Sequence, residues 1–338
     1  MKKFKLFSSC IPVKGASRST IYDLQRGKIK FIPNSLYDVL DRFDGESKEV
    51  AISTLGTEHK EVISEYYDFL IENEFGFWCD DPDLFPKMDL TYYTPSMITN
   101  GIIDSNSSSN HNFKNVFQQL EKLGCKHIEL RFFDEVSISF LENILEYSSK
   151  SIINSITLII KYTEELTQSE LQELAKNHMR VQSILLHSAP SKKQLAVIDK
   201  NSTATIVTHT DWIDSASHCG NIYMNDFVIN QDTFLESQHF NSCLHKKIAV
   251  DVHGNIKNCP SMTTSYGNIS EDSLLDCLKN EEFSKVWNIS KDQIEVCKDC
   301  EFRHMCTDCR AFLGSDTSLA KPKKCSYDPY KMEWSQIP

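Results

Sequence analysis

The stretch Cys297-Lys-Asp-Cys300-Glu-Phe-Arg-His-Met-Cys306-Thr-Asp-Cys309-Arg310 decides how this chain reads. It sets two Cys-x2-Cys pairs five residues apart. A tight turn between two cysteines lets both sulfurs reach one metal. Zinc ribbons usually space such pairs about 15–20 residues apart, so this density departs from that pattern. Outward from the run, Cys325 follows after fifteen residues, and Cys243-x10-Gly254-x4-Cys259 precedes it. Lys247–Val252, then His253-Gly254-Asn255, then Ile256 reads as a β-hairpin. Gly254 allows the sharp turn beside Cys259. Seven cysteines thus form one pattern over 243–325, whereas Cys10, Cys79, Cys125, Cys219 and Cys277 sit at no recognisable spacing. Dense thiolates suit zinc or iron–sulfur clusters, and spacing alone leaves both open.

The 338 residues leave room for two or three domains. Net charge is −11, from 36 Lys and Arg against 47 Asp and Glu. That balance disfavours nucleic acid, whose phosphates call for clustered cations. No apolar run approaches the roughly 18 residues of a membrane span, so no membrane partner is expected. Met1–Cys10 resembles a lipoprotein signal superficially. Its apolar core is only Phe4, Leu6 and Phe7, broken by Lys5, which is too short. A β-strand in a cytoplasmic protein is the expectation. In that reducing compartment the twelve cysteines are read as thiols and metal ligands, not disulfides.

The pattern is α/β, in three segments. Residues 1–88 read as strands Lys3–Phe7, Ser19–Leu24 and Lys28–Ile32, then helices from Pro33 to Phe43, Lys48–Leu55 and His59–Asn73, and a closing strand Phe75–Trp78. That order fits a small winged-helix domain. Residues 89–215 alternate strands (Met97–Ile103, His127–Phe132, Ile156–Lys161, Val181–Leu186, Thr205–Thr208) with helices near Phe113–Leu123, Ser137–Ser148, Thr167–His178 and Lys192–Asp199. Such alternation implies parallel β/α units, too few here for a closed eight-stranded barrel. A partial (β/α) barrel is expected. Residues 216–338 hold short strands, turns and cysteines. His209, Asp211, Asp214 and His218 form a polar patch after the last strand, a candidate metal or acid/base site read first as a solvated loop.

The cysteine run, its upstream hairpin and Cys325 together resemble the SPASM domain of radical S-adenosylmethionine peptide maturases. One departure is the two residues, where the family has three, between Cys306 and Cys309. The resemblance implies two auxiliary 4Fe–4S clusters. Cys243, Cys259 and Cys309 would hold the first, and Cys297, Cys300, Cys306 and Cys325 the second. An extra ligand to the first would come from Cys219 or His239, or that iron would stay open. A radical S-adenosylmethionine enzyme also needs Cys-x3-Cys-x2-Cys after its first barrel strand. Here Asp104-Ser-Asn-Ser-Ser-Ser-Asn-His-Asn112 follows that strand, and the triplet occurs nowhere in the chain. The middle segment therefore reads as a degenerate radical SAM barrel, with no S-adenosylmethionine expected.

The whole chain is similar to the maturase partner of grasp-with-spasm systems, through Cys10-Ile-Pro-Val-Lys-Gly15, Ile21-Tyr-Asp-Leu24, Phe31-Ile-Pro33, Leu36-Tyr-Asp38 and Cys309-Arg-Ala-Phe312. The resemblance implies a ribosomal precursor peptide and an ATP-grasp ligase as partners. It also implies that residues 1–88 bind a leader peptide as an added strand on Lys28–Ile32, beside His59–Asn73. Ile29, Phe31, Ile63, Tyr66, Tyr67 and Leu70 are the candidate peptide contacts, set against their plainer role as core. Two other functions stay open: an iron–sulfur enzyme with an open cluster site, and a zinc-stapled adaptor.

Overall fold

The computed structural model describes residues 1–196 and 203–335. Contacts divide the chain into two compact units, each built from separated stretches. The first gathers Met1–Tyr93, Ile222–Ser242 and Ile289–Pro338; the second gathers Thr94–Asn221 and Cys243–Asn288. Residues 216–338 thus contribute to both.

The first unit begins with β1 (Lys3–Leu6), β2 (Cys10–Val13), β3 (Ser19–Asp23) and β4 (Lys28–Ile32). Helices α1 (Asn34–Phe43), α2 (Lys48–Leu55) and α3 (Lys60–Glu72) follow, then β5 (Gly76–Cys79). β1 pairs antiparallel with β5, and β2-β3-β4 form an antiparallel meander. β2 escapes the sequence pattern because Pro12 interrupts it. Proline is tolerated there since β2 is an edge strand. Leu36, Val39, Leu40 and Phe43 face inward from α1, and Ile63, Tyr67 and Leu70 from α3. They close on Phe4 and Phe75 in one apolar cluster. Phe4 meets Tyr67 edge-on at 5.2 Å, the arrangement aromatic quadrupoles favour.

The second unit opens with β6 (Asn100–Ser105), α4 (Phe113–Lys122), β7 (His127–Phe132), α5 (Ile138–Glu146) and β8 (Ser155–Lys161). It continues with α6 (Gln168–Asn177), β9 (Val181–His187), β10 (Lys193–Ala196) and β11 (Thr205–Thr208). Helix α7 (Gln231–His239) returns to the first unit. Then β12 (Lys247–Val250), β13 (Ile256–Lys257), α8 (Leu274–Leu278) and α9 (Glu281–Lys285) complete the second. Its sheet runs β10-β11-β9-β8-β7-β6-β12-β13. The six inner strands are parallel and the outermost pair on each side is antiparallel. The helix starts are built as the sequence dictates. Asn112, Ser137 and Thr167 each accept a first-turn N–H, and Thr167 closes a capping box with Glu170.

One expected element changes type. The helix read over Lys192–Asp199 is strand over Lys193–Ala196, and residues 197–199 lie outside the described ones. Lys193-Gln-Leu-Ala196 has good helix formers. Its partner β11 presents a free ladder edge, however, and pairing Lys193 with Thr208 satisfies it. The last strands, β14 (Tyr327–Asp328) and β15 (Glu333–Trp334), form a two-residue pair in the first unit. No helix among the described residues is long and apolar enough to cross a membrane.

Two substitutions in the first core have opposite expected signs. Leu70 is fully buried, so Leu70→Ala should cost roughly 2–5 kcal/mol through lost transfer energy and a cavity. The Tyr67 hydroxyl is buried without a hydrogen-bond partner. Tyr67→Phe should therefore leave stability unchanged or raise it by about 1 kcal/mol. Urea denaturation of both variants checks this pair.

Candidate metal centres and an open strand edge

Four cysteines of the first unit, Cys297, Cys300, Cys306 and Cys325, line one cavity. Lys291, Phe302 and Tyr327 share its walls. The segment that carries the first three is built from turns. A single 3-10 turn covers Cys297–Asp299, with the Cys300 N–H donating to the Cys297 carbonyl at 3.0 Å. The Cys306 N–H in turn donates to Phe302 at 3.1 Å.

Burial raises these thiols above the ordinary range. It pushes Cys306 up to about 12, and Cys297 and Cys300 shift the same way. Against this stand two buried cations, Lys291 and Arg310, and one buried carboxylate between them, Asp308. Arg310 lies 2.7 Å from Asp308 and Lys291 lies 3.6 Å from it. Asn241 donates to the other Asp308 oxygen at 2.5 Å. Two cations against one carboxylate leave a surplus positive charge beside the thiols. Buried charge calls for a partner, and metal-bound thiolates supply one. The donor set therefore fits a thiolate-held cluster.

A second group lies in the other unit. Cys243 precedes β12 and Cys259 follows β13, so the hairpin brings them near each other. Asp251 shapes its turn by accepting the His253 and Asn255 N–H groups at 3.0 and 2.9 Å. Gly254 takes φ +85°, where a side chain would be strained and would press on Asn268. Cys219, Cys243 and Cys259 lie within electrostatic reach of one another and of Lys247. Lys247 Nζ donates to Cys243 Sγ at 3.5 Å. Burial works against the Lys247 charge, yet the Cys243 and Cys259 sulfurs hold its pKa above the ordinary lysine range. His239, the other candidate for the extra ligand, lies in the first unit with its Nε2 on the Leu90 carbonyl at 3.2 Å. Cys309 also belongs to the first unit and does not line the four-cysteine cavity. Among the described residues, no three His, Cys, Asp or Glu side chains gather to hold a single metal ion. The fit therefore rests on the shared cavity and on charge.

Three other cysteines have structural surroundings. Cys10 and Cys125 belong to apolar cores, and Cys277 donates to the Tyr266 carbonyl at 3.3 Å. The polar patch resolves into two separate pairs, His209 with Asp211 and His218 with Asp214, each at 3.0 Å.

The candidate peptide contacts divide by burial. Ile63, Tyr67 and Leu70 are buried in the helical core. Ile29 and Tyr66 are half-buried and Phe31 is exposed. Among the described residues β4 pairs with β3 alone, so its other edge carries no strand. Lys30 of β4 lies 5.7 Å from the Phe69 ring of α3, and Tyr66 bonds Ser35 at 2.6 Å.

The end of β6 carries a pairing the sequence did not reveal. Asp104 and Arg131 face each other across the β6–β7 ladder, both buried. Arg131 Nε and Nη2 reach the two carboxylate oxygens at 2.5 and 2.8 Å. Burial raises the Asp104 carboxyl, to about 6, against the opposing pull of Arg131. His111 Nε2 sits 2.8 Å from the Asp104 carbonyl, and Ser109 bonds Val252 at 2.7 Å. A cavity of about 510 Å³ opens above, lined by Ser105, His111, Asp134 and Phe140 among others.

Residues 242–301 match the family model of SPASM, described as an iron–sulfur cluster-binding domain. No curated protein matches the chain. Among solved structures, Streptococcus suis SuiB bound to S-adenosylmethionine is 11% identical, with 95% of this chain and 99% of that one covered and a TM-score of 0.36. SuiB bound to precursor peptide SuiA is 10% identical, with 96% and 99% covered and a TM-score of 0.39. At that level neither identifies this chain's fold or function.

Removing Asp104 strips the buried Arg131 of its two close carboxylate bonds and leaves it the more distant Glu129, at 3.7 Å. Asp104→Ala should lower stability by roughly 3–5 kcal/mol. A denaturation midpoint equal to that of the parent chain would show that the pair carries no weight.

Proposed function

We propose that this chain is a maturation factor for a ribosomally made peptide, holding two 4Fe–4S clusters and no radical S-adenosylmethionine cluster. The observation that carries it is the presence, within one compact unit, of an open-edged three-stranded sheet with three helices and a cavity walled by four cysteines. On this reading residues 1–88 act as a winged-helix leader-binding domain. An extended leader adds to the free edge of β4, where main-chain bonds give affinity. Ile29, Phe31 and Tyr66 offer side-chain contact, while Ile63, Tyr67 and Leu70 hold the scaffold beneath. The chain presents this peptide to an ATP-grasp ligase in the cytoplasm.

Cys297, Cys300, Cys306 and Cys325 would hold one cluster. Cys243 and Cys259, with Cys219 as the added ligand, would contribute to the other. Cys309 is assigned by resemblance alone. Bound clusters supply thiolate cross-links and electron storage. The chain's own groups do the rest: Lys247 and Lys291 offset thiolate charge, and Asp308 fixes Arg310 beside them. The parallel sheet of the second unit serves as a degenerate barrel. Its loop at 104–112 lacks the cysteines needed for a radical cluster.

Anaerobic reconstitution with an iron and sulfide assay tests this directly. About eight irons per chain are expected, two cubanes; zinc with no iron would end the proposal. Cys306→Ser should remove about half of that iron. Cys219→Ser should change the spectrum of the remaining cluster, and His239→Ala should leave it unaltered. Copurification of the tagged chain should yield a ribosomal peptide whose affinity falls about tenfold or more on Phe31→Asp. A peptide that binds equally well without residues 1–88 would sink the docking role.

A further inference from the structure

We infer that metal occupancy at Cys297, Cys300, Cys306 and Cys325 sets the order of the β3–β4 strand pair, so that the peptide edge forms only when this centre is filled. The inference rests on the iron–sulfur reading above and adds a physical link between cluster and edge.

The link is residues 299–303, which include Cys300 and lie between Cys297 and Cys306. Thr20 and Tyr22 of β3 both donate their hydroxyls to the Glu301 carbonyl, at 3.2 and 2.7 Å. Arg18 donates to the Glu301 carboxylate at 2.7 Å, and Tyr327 reaches the same oxygen at 2.6 Å. The Arg18 guanidinium lies 3.7 Å above the Phe31 ring of β4, and that ring meets Phe302 edge-on at 5.7 Å. Ala16 N–H donates to the Asp299 carbonyl at 2.7 Å, and Arg303 donates to the Lys14 carbonyl at 2.5 Å. Gly15 permits this approach, since a Cβ there would stand 2.9 Å from Glu301 Cβ.

Residues 299–303 hold no strand or α-helix of their own. A short turn segment keeps its place only if its ends are tied, and metal ligation ties both. With the centre empty, the loop regains freedom and β3 loses the acceptors beneath it. The α1–α3 core is a different apolar cluster from the one around Phe302; Ile21 of β3 and Ile32 of β4 enter it, so it responds to an empty centre only through them, and less strongly. Binding linkage makes the effect reciprocal: a peptide on β4 tightens metal binding by the same factor.

The test is amide hydrogen exchange on the full-length chain, loaded anaerobically and then stripped with a chelator. Exchange over residues 19–32 should rise about tenfold or more on stripping, and by less than about threefold over 36–43 and 63–70. Tyr22→Phe should raise exchange at 19–32 about fivefold in the loaded protein and add nothing in the stripped one, the signature of a shared interaction. Equal exchange at 19–32 with full iron and with none overturns this inference and leaves the iron–sulfur reading standing. The same overturning follows if Tyr22→Phe acts equally in both states. Failure to take up iron overturns both.

Discussion

A cysteine-rich segment with almost no regular structure has to be held by something other than a backbone ladder. Over Ile289–Pro338 the only strands among the described residues are two of two residues each, and the helical pieces are single turns. Folding such a stretch costs about 1–2 kcal/mol of backbone entropy per residue, with few ladder bonds in return. The Glu301 contacts with β3, and the apolar cluster around Phe302, supply part of what is missing. Val13, Tyr22 and Leu24 enter that cluster from the N-terminal sheet, and Phe234 enters it from α7. The N-terminal sheet and the cysteine run are therefore one core, although nearly the whole chain separates them in sequence.

The second unit solves the same problem differently. Its parallel strands satisfy one another, and helices α4 to α6 supply Phe117, Leu120, Leu141, Leu145, Leu171 and Leu174 to the same core. A mostly apolar run such as Ile156–Ile160 needs no external support once both faces are covered. At the end of β6, the buried Asp104–Arg131 pair replaces apolar packing with a charge-assisted fork.

What could be read in the sequence follows from this contrast. Strong periodicity announced α1, α3 and the strands β7, β8 and β9, because local pattern and burial agree there. β2 was hidden by Pro12, and β10 by residues that favour a helix locally but answer to the free edge of β11. The cysteine spacing gave the candidate ligands, since metal geometry is written in short spacings. The Asp104–Arg131 pair was illegible, because a strand register is needed to bring residues from two strands together. The close approach of Gly15 to Glu301 was illegible for the same reason, since its partner lies far along the chain. Tyr67 and Leu70 illustrate the same limit in reverse. Helical spacing places them on one face, and only the packed core decides that this face is interior.

The two cysteine groups consequently stand in different relations to their surroundings. Cys243 and Cys259 flank a hairpin whose first strand is laddered to β6, so their backbone is placed by the sheet whether or not metal is present. Cys297, Cys300 and Cys306 sit on turns whose positions no ladder fixes. Metal at the first group would meet a preformed site, and its free energy would go into binding. Metal at the second would also have to organise the turns, so part of its binding free energy would appear as folding free energy. The surplus positive charge from Lys291 and Arg310 points the same way. Neutral thiols leave it uncompensated, and thiolates gathered on a metal relieve it. Cluster binding and ordering of residues 289–338 are then two descriptions of one equilibrium, and β3 is attached to that equilibrium through Glu301.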